Sequence, residues 1–132
     1  MRLIDTSVCV AILRGESPRV PPRFRAAIAS GVAISSITAA ELYYGLARCN
    51  DPARERHNLD NLFGSVEIIP FGTKAAEAFG LLRSYLERAG QIIGQFDLLI
   101  AAHAIAEDAI LVTNNTREFS RVPTLVLEDW LQ

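Results

Sequence analysis

Five short runs rich in β-branched and aliphatic residues punctuate the chain: Leu3-Ile4, Val32 to Ser35, Val66 to Ile69, Ile110 to Val112 and Leu125 to Leu127. Helix-length stretches separate all but the last two. That alternation predicts an α/β fold, with a central parallel sheet and helices on both faces in three α/β/α layers. Half of the 132 residues are apolar, enough for one core, so residues 1–132 are read as a single domain. No apolar run approaches the roughly 18 residues of a membrane span. The only run near the start, Met1 to Ile4, meets Asp5 and has no small-residue cleavage site after it, which predicts a cytoplasmic protein away from membranes.

The helical stretches carry their own punctuation. Pro18, Pro21 and Pro22 suggest a break between a first helix near Val8 to Arg14 and a second near Phe24 to Ser30. Between Ala75 and Ala89 the residues Ala75, Ala78, Phe79, Leu82 and Leu86 share one face, with Gly90 as the stop. The segment Asp97 to Ala106 is apolar nearly all round, so its helix is expected to be buried. Cys9 and Cys49 have no partners at zinc-ligand spacing and are read as reduced thiols. The net charge is −2, yet twelve of the thirteen basic residues are Arg and Lys74 is the only Lys. Arginine favours planar, bidentate phosphate contacts, and Arg14, Arg48, Arg83, Arg88 and Arg117 are the candidates to make them.

Three carboxylates stand at positions that a parallel sheet gathers. Asp5 follows the first strand, where strand C-terminal ends face a ligand crevice. Glu41 and Asp97 are each read as opening a helix at the edge of a βα unit. Each has a plain alternative. Asp5-Thr6-Ser7 could cap a helix, Thr38-Ala-Ala-Glu41 matches a capping box, and Asp97 could cap the helix that runs to Ala106. Capping does not require all three to converge. Three carboxylates within about 4 Å of one another would repel by several kcal/mol, a cost that a hard divalent cation removes. Oxygen ligands without Cys or paired His favour Mg²⁺, with Mn²⁺ able to substitute, over zinc. Such an ion suits hydrolysis of a phosphodiester, with Asp5 and Asp97 as direct ligands and Glu41 reaching through water or holding a second ion. A phosphatase with Asp5 as nucleophile would want an acid where Ser7 stands, and a phosphate-accepting receiver domain would want a Lys after a late strand.

At these residues the chain resembles the PIN-domain ribonucleases, and within them the VapC-like toxins of bacterial toxin–antitoxin pairs. Four blocks in order carry the likeness. They are Leu3-Ile-Asp-Thr-Ser7, Ser35-Ser-Ile-Thr-Ala-Ala-Glu-Leu-Tyr-Tyr-Gly45, Gly94-Gln-Phe-Asp-Leu-Leu-Ile-Ala-Ala-His-Ala104 and Leu111-Val-Thr-Asn-Asn-Thr-Arg-Glu-Phe-Ser-Arg-Val122. The resemblance implies a metal-dependent endoribonuclease that cuts structured RNA, commonly transfer RNA, and halts translation. It also implies a homodimer and a small VapB-like antitoxin that covers the active site. By position, Asp5, Glu41 and Asp97 match the family's acidic triad, and Thr6 and Thr113 stand where a hydroxyl often assists. Asn115 falls where many relatives carry a fourth acid, and an amide brings no charge; its presence is the sole motive for a non-catalytic, RNA-binding alternative. His103, six residues past Asp97, points away from that carboxylate and is read as packing or interface.

Overall fold

A computed structural model describes residues 1–132. Its five strands are β1 (Arg2–Ile4), β2 (Val32–Ser35), β3 (Glu67–Ile69), β4 (Ile110–Val112) and β5 (Leu127–Glu128). They form one sheet in the order β3-β2-β1-β4-β5, and every pairing is parallel. Between β1 and β2 run α1 (Thr6–Arg14) and α2 (Val20–Ile28); between β2 and β3, α3 (Ser36–Ala47) and α4 (Pro52–Ser65). The helices α5 (Thr73–Arg88) and α6 (Gln95–Ala106) join β3 to β4, and the short α7 (Thr116–Phe119) precedes β5.

Alternation along the central strands divides the core in two. Leu3 and Leu111 pack with α5 and α6, whereas their neighbours Ile4 and Val112 pack with Val8, Phe24, Leu42 and Leu62 of α1 to α4. The expected three-layer α/β/α arrangement is the observed one. The helix from Gln95 is buried as its composition demands, with Leu98, Ile100 and Ala101 at 1% exposure or less. Gly90 takes a φ of +64°, a left-handed stop that a side chain would oppose.

Two local expectations need correction. The break between the first two helices is present, over residues 15–19 with Pro18 in it, but Pro21 and Pro22 lie beyond it in the first turn of α2, which starts at Val20 and not near Phe24; there an absent N–H leaves no helical bond unmade. The last strand is Leu127–Glu128 and not Leu125 to Leu127, because Leu111 N reaches back to Val126 O and Thr113 N to Glu128 O. His103 is a packing residue. It is fully buried, with Nδ1 2.7 Å from Ser35 Oγ and its ring edge-on to Phe71. Burial holds its pKa below the usual imidazole value, against a weaker upward pull from Glu107, so the ring is neutral at pH 7. Cys9 is buried and Cys49 half-buried, both as free thiols.

Candidate active site

Strands β1 and β4 end side by side, and their following residues make the first half of the site. Asp5 leaves β1 in extended backbone and N-caps α1, its Oδ1 accepting from Val8 N at 3.0 Å and from the Ser7 hydroxyl at 2.7 Å. Its other oxygen accepts from the Thr113 hydroxyl just past β4. Asp5 is 2% exposed. Burial raises its pKa, while the hydrogen bonds from Ser7, Thr113 and Val8 pull the other way. The capping alternative for Asp5 is therefore real, and it occupies one oxygen.

Glu41 does not open a helix. It is the sixth residue of α3, whose cap is Ser35, with Oγ accepting from Ile37 N at 3.1 Å. The capping-box reading with Thr38 fails on the same geometry. What positions Glu41 is Thr6, whose hydroxyl donates to Oε1 at 2.6 Å, with Thr38 Oγ1 3.3 Å from that hydroxyl. Asp97 is the third residue of α6; the helix's N-cap is Gly94, and no side chain of its own caps it. The capping alternative for Asp97 is not realised either.

Asp97 nevertheless faces the other acids. Its pKa is pushed up to about 6, first by burial and then by the negative charges of Glu118, Asp5 and Glu41. Like charges raise a carboxyl pKa only when they share its surroundings. No group of three carboxylate, imidazole or thiol side chains is already drawn together tightly enough to hold an ion, so the expected approach to about 4 Å of one another is not met. The carboxylates lie near enough to act on one another's charge without forming a closed cluster. Their donor set, oxygen only and anionic, fits a hard divalent cation.

Glu118 was not among the expected residues, and it belongs to this site. Its Oε1 accepts from Gly94 N at 2.7 Å, supplying the cap that α6 lacks, and its Oε2 accepts from Asn115 Nδ2 at 2.9 Å. A Cβ built on Gly94 would stand 3.6 Å from Glu118 Oε1 and 3.9 Å from Asp97 Oδ2, so both carboxylates hang over one loop. Asn115 turns its amide nitrogen toward these acids, and this hydrogen bonding lowers the Asp97 pKa. The amide nitrogen, and not the oxygen, is the atom that Asn115 presents to Glu118. The available signal was an acid three residues past Asn115, one turn on in a helix.

Glu118→Gln removes charge while keeping an oxygen for Gly94 N. The Asp97 pKa is expected to fall from about 6 toward the ordinary carboxyl value, followed by ¹³C NMR titration of the metal-free protein, at a stability cost of roughly 1 kcal/mol or less. An unchanged Asp97 titration would separate the two carboxylates.

Beside Glu41 lies a cavity of about 410 Å³, lined by Thr6, Glu41, Tyr44, Gly45, Arg14 and Arg48 among others. Of the five candidate arginines, only Arg14 and Arg48 line it; Arg83 is paired with Glu87 at 2.9 Å on α5. A recess of 510 Å³ lined by Arg2, Arg23 and Trp130 contains none of Asp5, Glu41, Asp97 and Glu118.

A family profile for the PIN domain matches residues 2–125. Ribonuclease VapC2 of Rickettsia felis is 44% identical over 129 residues, 97% of this chain and 96% of that protein. The chain belongs to the PIN-domain family, among the VapC-like ribonucleases. The tRNA(fMet)-specific endonuclease VapC of Salmonella typhimurium is 34% identical over 128 residues, covering 97% and 96% of the two chains. This PIN domain superimposes on a chain of the Rickettsia felis VapBC2 crystal structure, which holds a promoter DNA fragment, with a TM-score of 0.93, 41% identity and 98% of each chain covered. A DNA-bound VapBC structure from Salmonella typhimurium matches at 0.93 and 34% identity, over 98% of this PIN domain and 97% of that chain. Both structures are toxin–antitoxin complexes, the assembly that the sequence blocks implied.

Proposed function

We propose that this PIN domain, acting as one unit over residues 1–132, is a magnesium-dependent endoribonuclease toxin that cuts structured RNA, with transfer RNA as its substrate, and so inhibits translation. The observation that carries the reading is that Asp5, Glu41 and Asp97, drawn from three separate βα units of a parallel sheet, lie near enough for the charges of Asp5 and Glu41 to raise the pKa of Asp97. Asp5 and Asp97 would ligate the ion directly, and Glu41 would reach it through water or hold a second one. A bound divalent cation supplies charge neutralisation at the phosphodiester and a more acidic water. The chain's own residues prepare for it: Thr6 fixes the Glu41 carboxylate, Thr113 fixes that of Asp5, and Asn115 and Glu118 tune Asp97. Mg²⁺ is the favoured ion and Mn²⁺ its substitute, on the oxygen-only donor set.

A VapB-like antitoxin is the proposed restraint, and a homodimer the proposed assembly. Leu81, Tyr85, Ile92 and Phe96, all exposed around α5 and α6, support the second copy. No helix is long and apolar enough to cross a membrane, and the reading places the protein in the cytoplasm with its RNA. The test is incubation of the purified chain with total cellular RNA in Mg²⁺ or Mn²⁺. Discrete fragments that vanish with EDTA are expected; RNA left intact in every metal would overturn the reading in favour of a non-catalytic RNA-binding domain.

A further inference from the structure

The cavity beside Glu41 runs on along α3, away from the acids. Glu41, Gly45 and Arg48 are spaced by four and seven residues, which places them on one face of the helix, and all three line the cavity with Tyr44. Arg48 stands about 10 Å from Glu41 along the helix axis. Tyr44 is 66% exposed, and the Arg48 guanidinium lies over its ring, 5.2 Å from the centroid. With so much of the residue in solvent, the opposite ring face is free to take a partner. Arg14 also lines the cavity, engaged by an exposed pair with Glu16 at 3.5 Å, a contact that holds little in water. A Cβ built on Gly45 would meet nothing within 4 Å, so no side chain obstructs the way from Glu41 to Arg48.

An exposed aromatic ring with a guanidinium stacked on it, and a second arginine on the same cavity, has the chemistry that takes an unpaired nucleotide: the base on the ring, the phosphates on the cations. Glu55 shares the cavity wall and repels phosphate from the α4 side, which keeps the path on α3. A peptide could use the apolar lining of Val10, Leu13 and Leu42, but it would leave the outward ring of Tyr44 and its stacked cation without a purpose. We infer that Tyr44 and Arg48 form a platform for an unpaired base of the RNA, one and two helical turns from Glu41 respectively and thus near the bond that is cut, an inference resting on the ribonuclease reading above.

The test measures binding of a fluorescein-labelled RNA hairpin by anisotropy, in an Asp97→Asn background so that nothing is cleaved. Tyr44→Ala and Arg48→Gln are each expected to weaken binding about fivefold or more, with thermal stability unchanged, and Tyr44→Phe, which keeps the ring, to restore it. Gly45→Met should also weaken binding while raising helix stability, a combination that a merely structural glycine would not give. Replacing the stacked nucleotide by an abasic one should weaken the parent and leave Tyr44→Ala unaffected. Equal hairpin binding by Tyr44→Ala, Tyr44→Phe and the parent would overturn the platform while leaving the ribonuclease reading intact. Retained RNA binding with loss of an antitoxin-derived peptide would reassign the surface to the antitoxin. If the parent neither binds nor cuts RNA, the ribonuclease reading fails and the platform with it.

Discussion

Asp97→Asn is expected to lower metal-dependent RNA cleavage by at least about a hundredfold, since it removes a proposed direct ligand of the ion that neutralises the phosphodiester. The same change should leave the metal-free protein as stable as the parent or more so. With its pKa moved from 3.8 to about 6, the folded chain binds a proton at Asp97 that the unfolded chain has already released. Between about pH 4 and about pH 6 the folded state therefore holds more protons, and stability falls as pH rises through that window. Above it the parent carries the whole cost of a desolvated charge among like charges, and the amide carries none. Thermal melts in EDTA should show the variant at its greatest advantage near neutrality and the advantage shrinking toward about pH 4. Added Mg²⁺ should stabilise the parent and not the variant, and less so below about pH 6, where the ion must displace a proton. Equal Mg²⁺ stabilisation of the two proteins would sink the assignment of Asp97 as a ligand.

The second large effect separates two jobs that Asp5 performs at once. Asp5→Asn and Asp5→Ala should both abolish cleavage, because neither leaves an anionic ligand at the end of β1. Their stabilities should differ. Asparagine keeps an oxygen for Val8 N and the Ser7 hydroxyl, the two donors that Oδ1 now satisfies, and it removes a charge that burial opposes. Alanine loses the helix cap, worth about 1 kcal/mol. It also leaves the Thr113 hydroxyl, which is fully buried, with no side-chain partner at position 5, at about 1–3 kcal/mol, whereas the asparagine Nδ2 can donate to the Thr113 oxygen in place of the bond it removes. Urea melts should place Asp5→Ala roughly 2–4 kcal/mol below Asp5→Asn. Equal melts would show that the cap is immaterial, and surviving cleavage in Asp5→Asn would remove Asp5 from the metal.

Much of this architecture was legible because the signals are local. The strand runs stand out by their β-branched residues, and the buried helix from Gln95 by its unbroken apolar composition. Four of the five strands fall within one residue of their expected places. Asp5, Glu41 and Asp97 could be picked out as candidates, since each lies shortly after a strand or near the start of the helix leading to one. How they are held was not. Glu41 mimics a capping box in sequence, but Ser35 at the end of β2 takes the cap, so α3 starts earlier and carries Glu41 inward. Glu118 was illegible as a site residue because its closeness to Asp97 exists only once α7 folds back over the Gly94 loop, 24 residues away in the chain. The grouping of Tyr44, Gly45 and Arg48 with Glu41 needs the helix register that the earlier start of α3 fixes.

The bond between Thr113 and Asp5 joins residues 108 apart, across the ends of two neighbouring strands. Asp97 and Glu118 likewise arrive late in the chain. As the chain emerges amino terminus first, β1 lacks the partner on its β4 side, and two of the four carboxylates are not yet made. Topology thus sets a clock on the proposed site: its four carboxylates cannot come together until β4 and Glu118 have both left the ribosome.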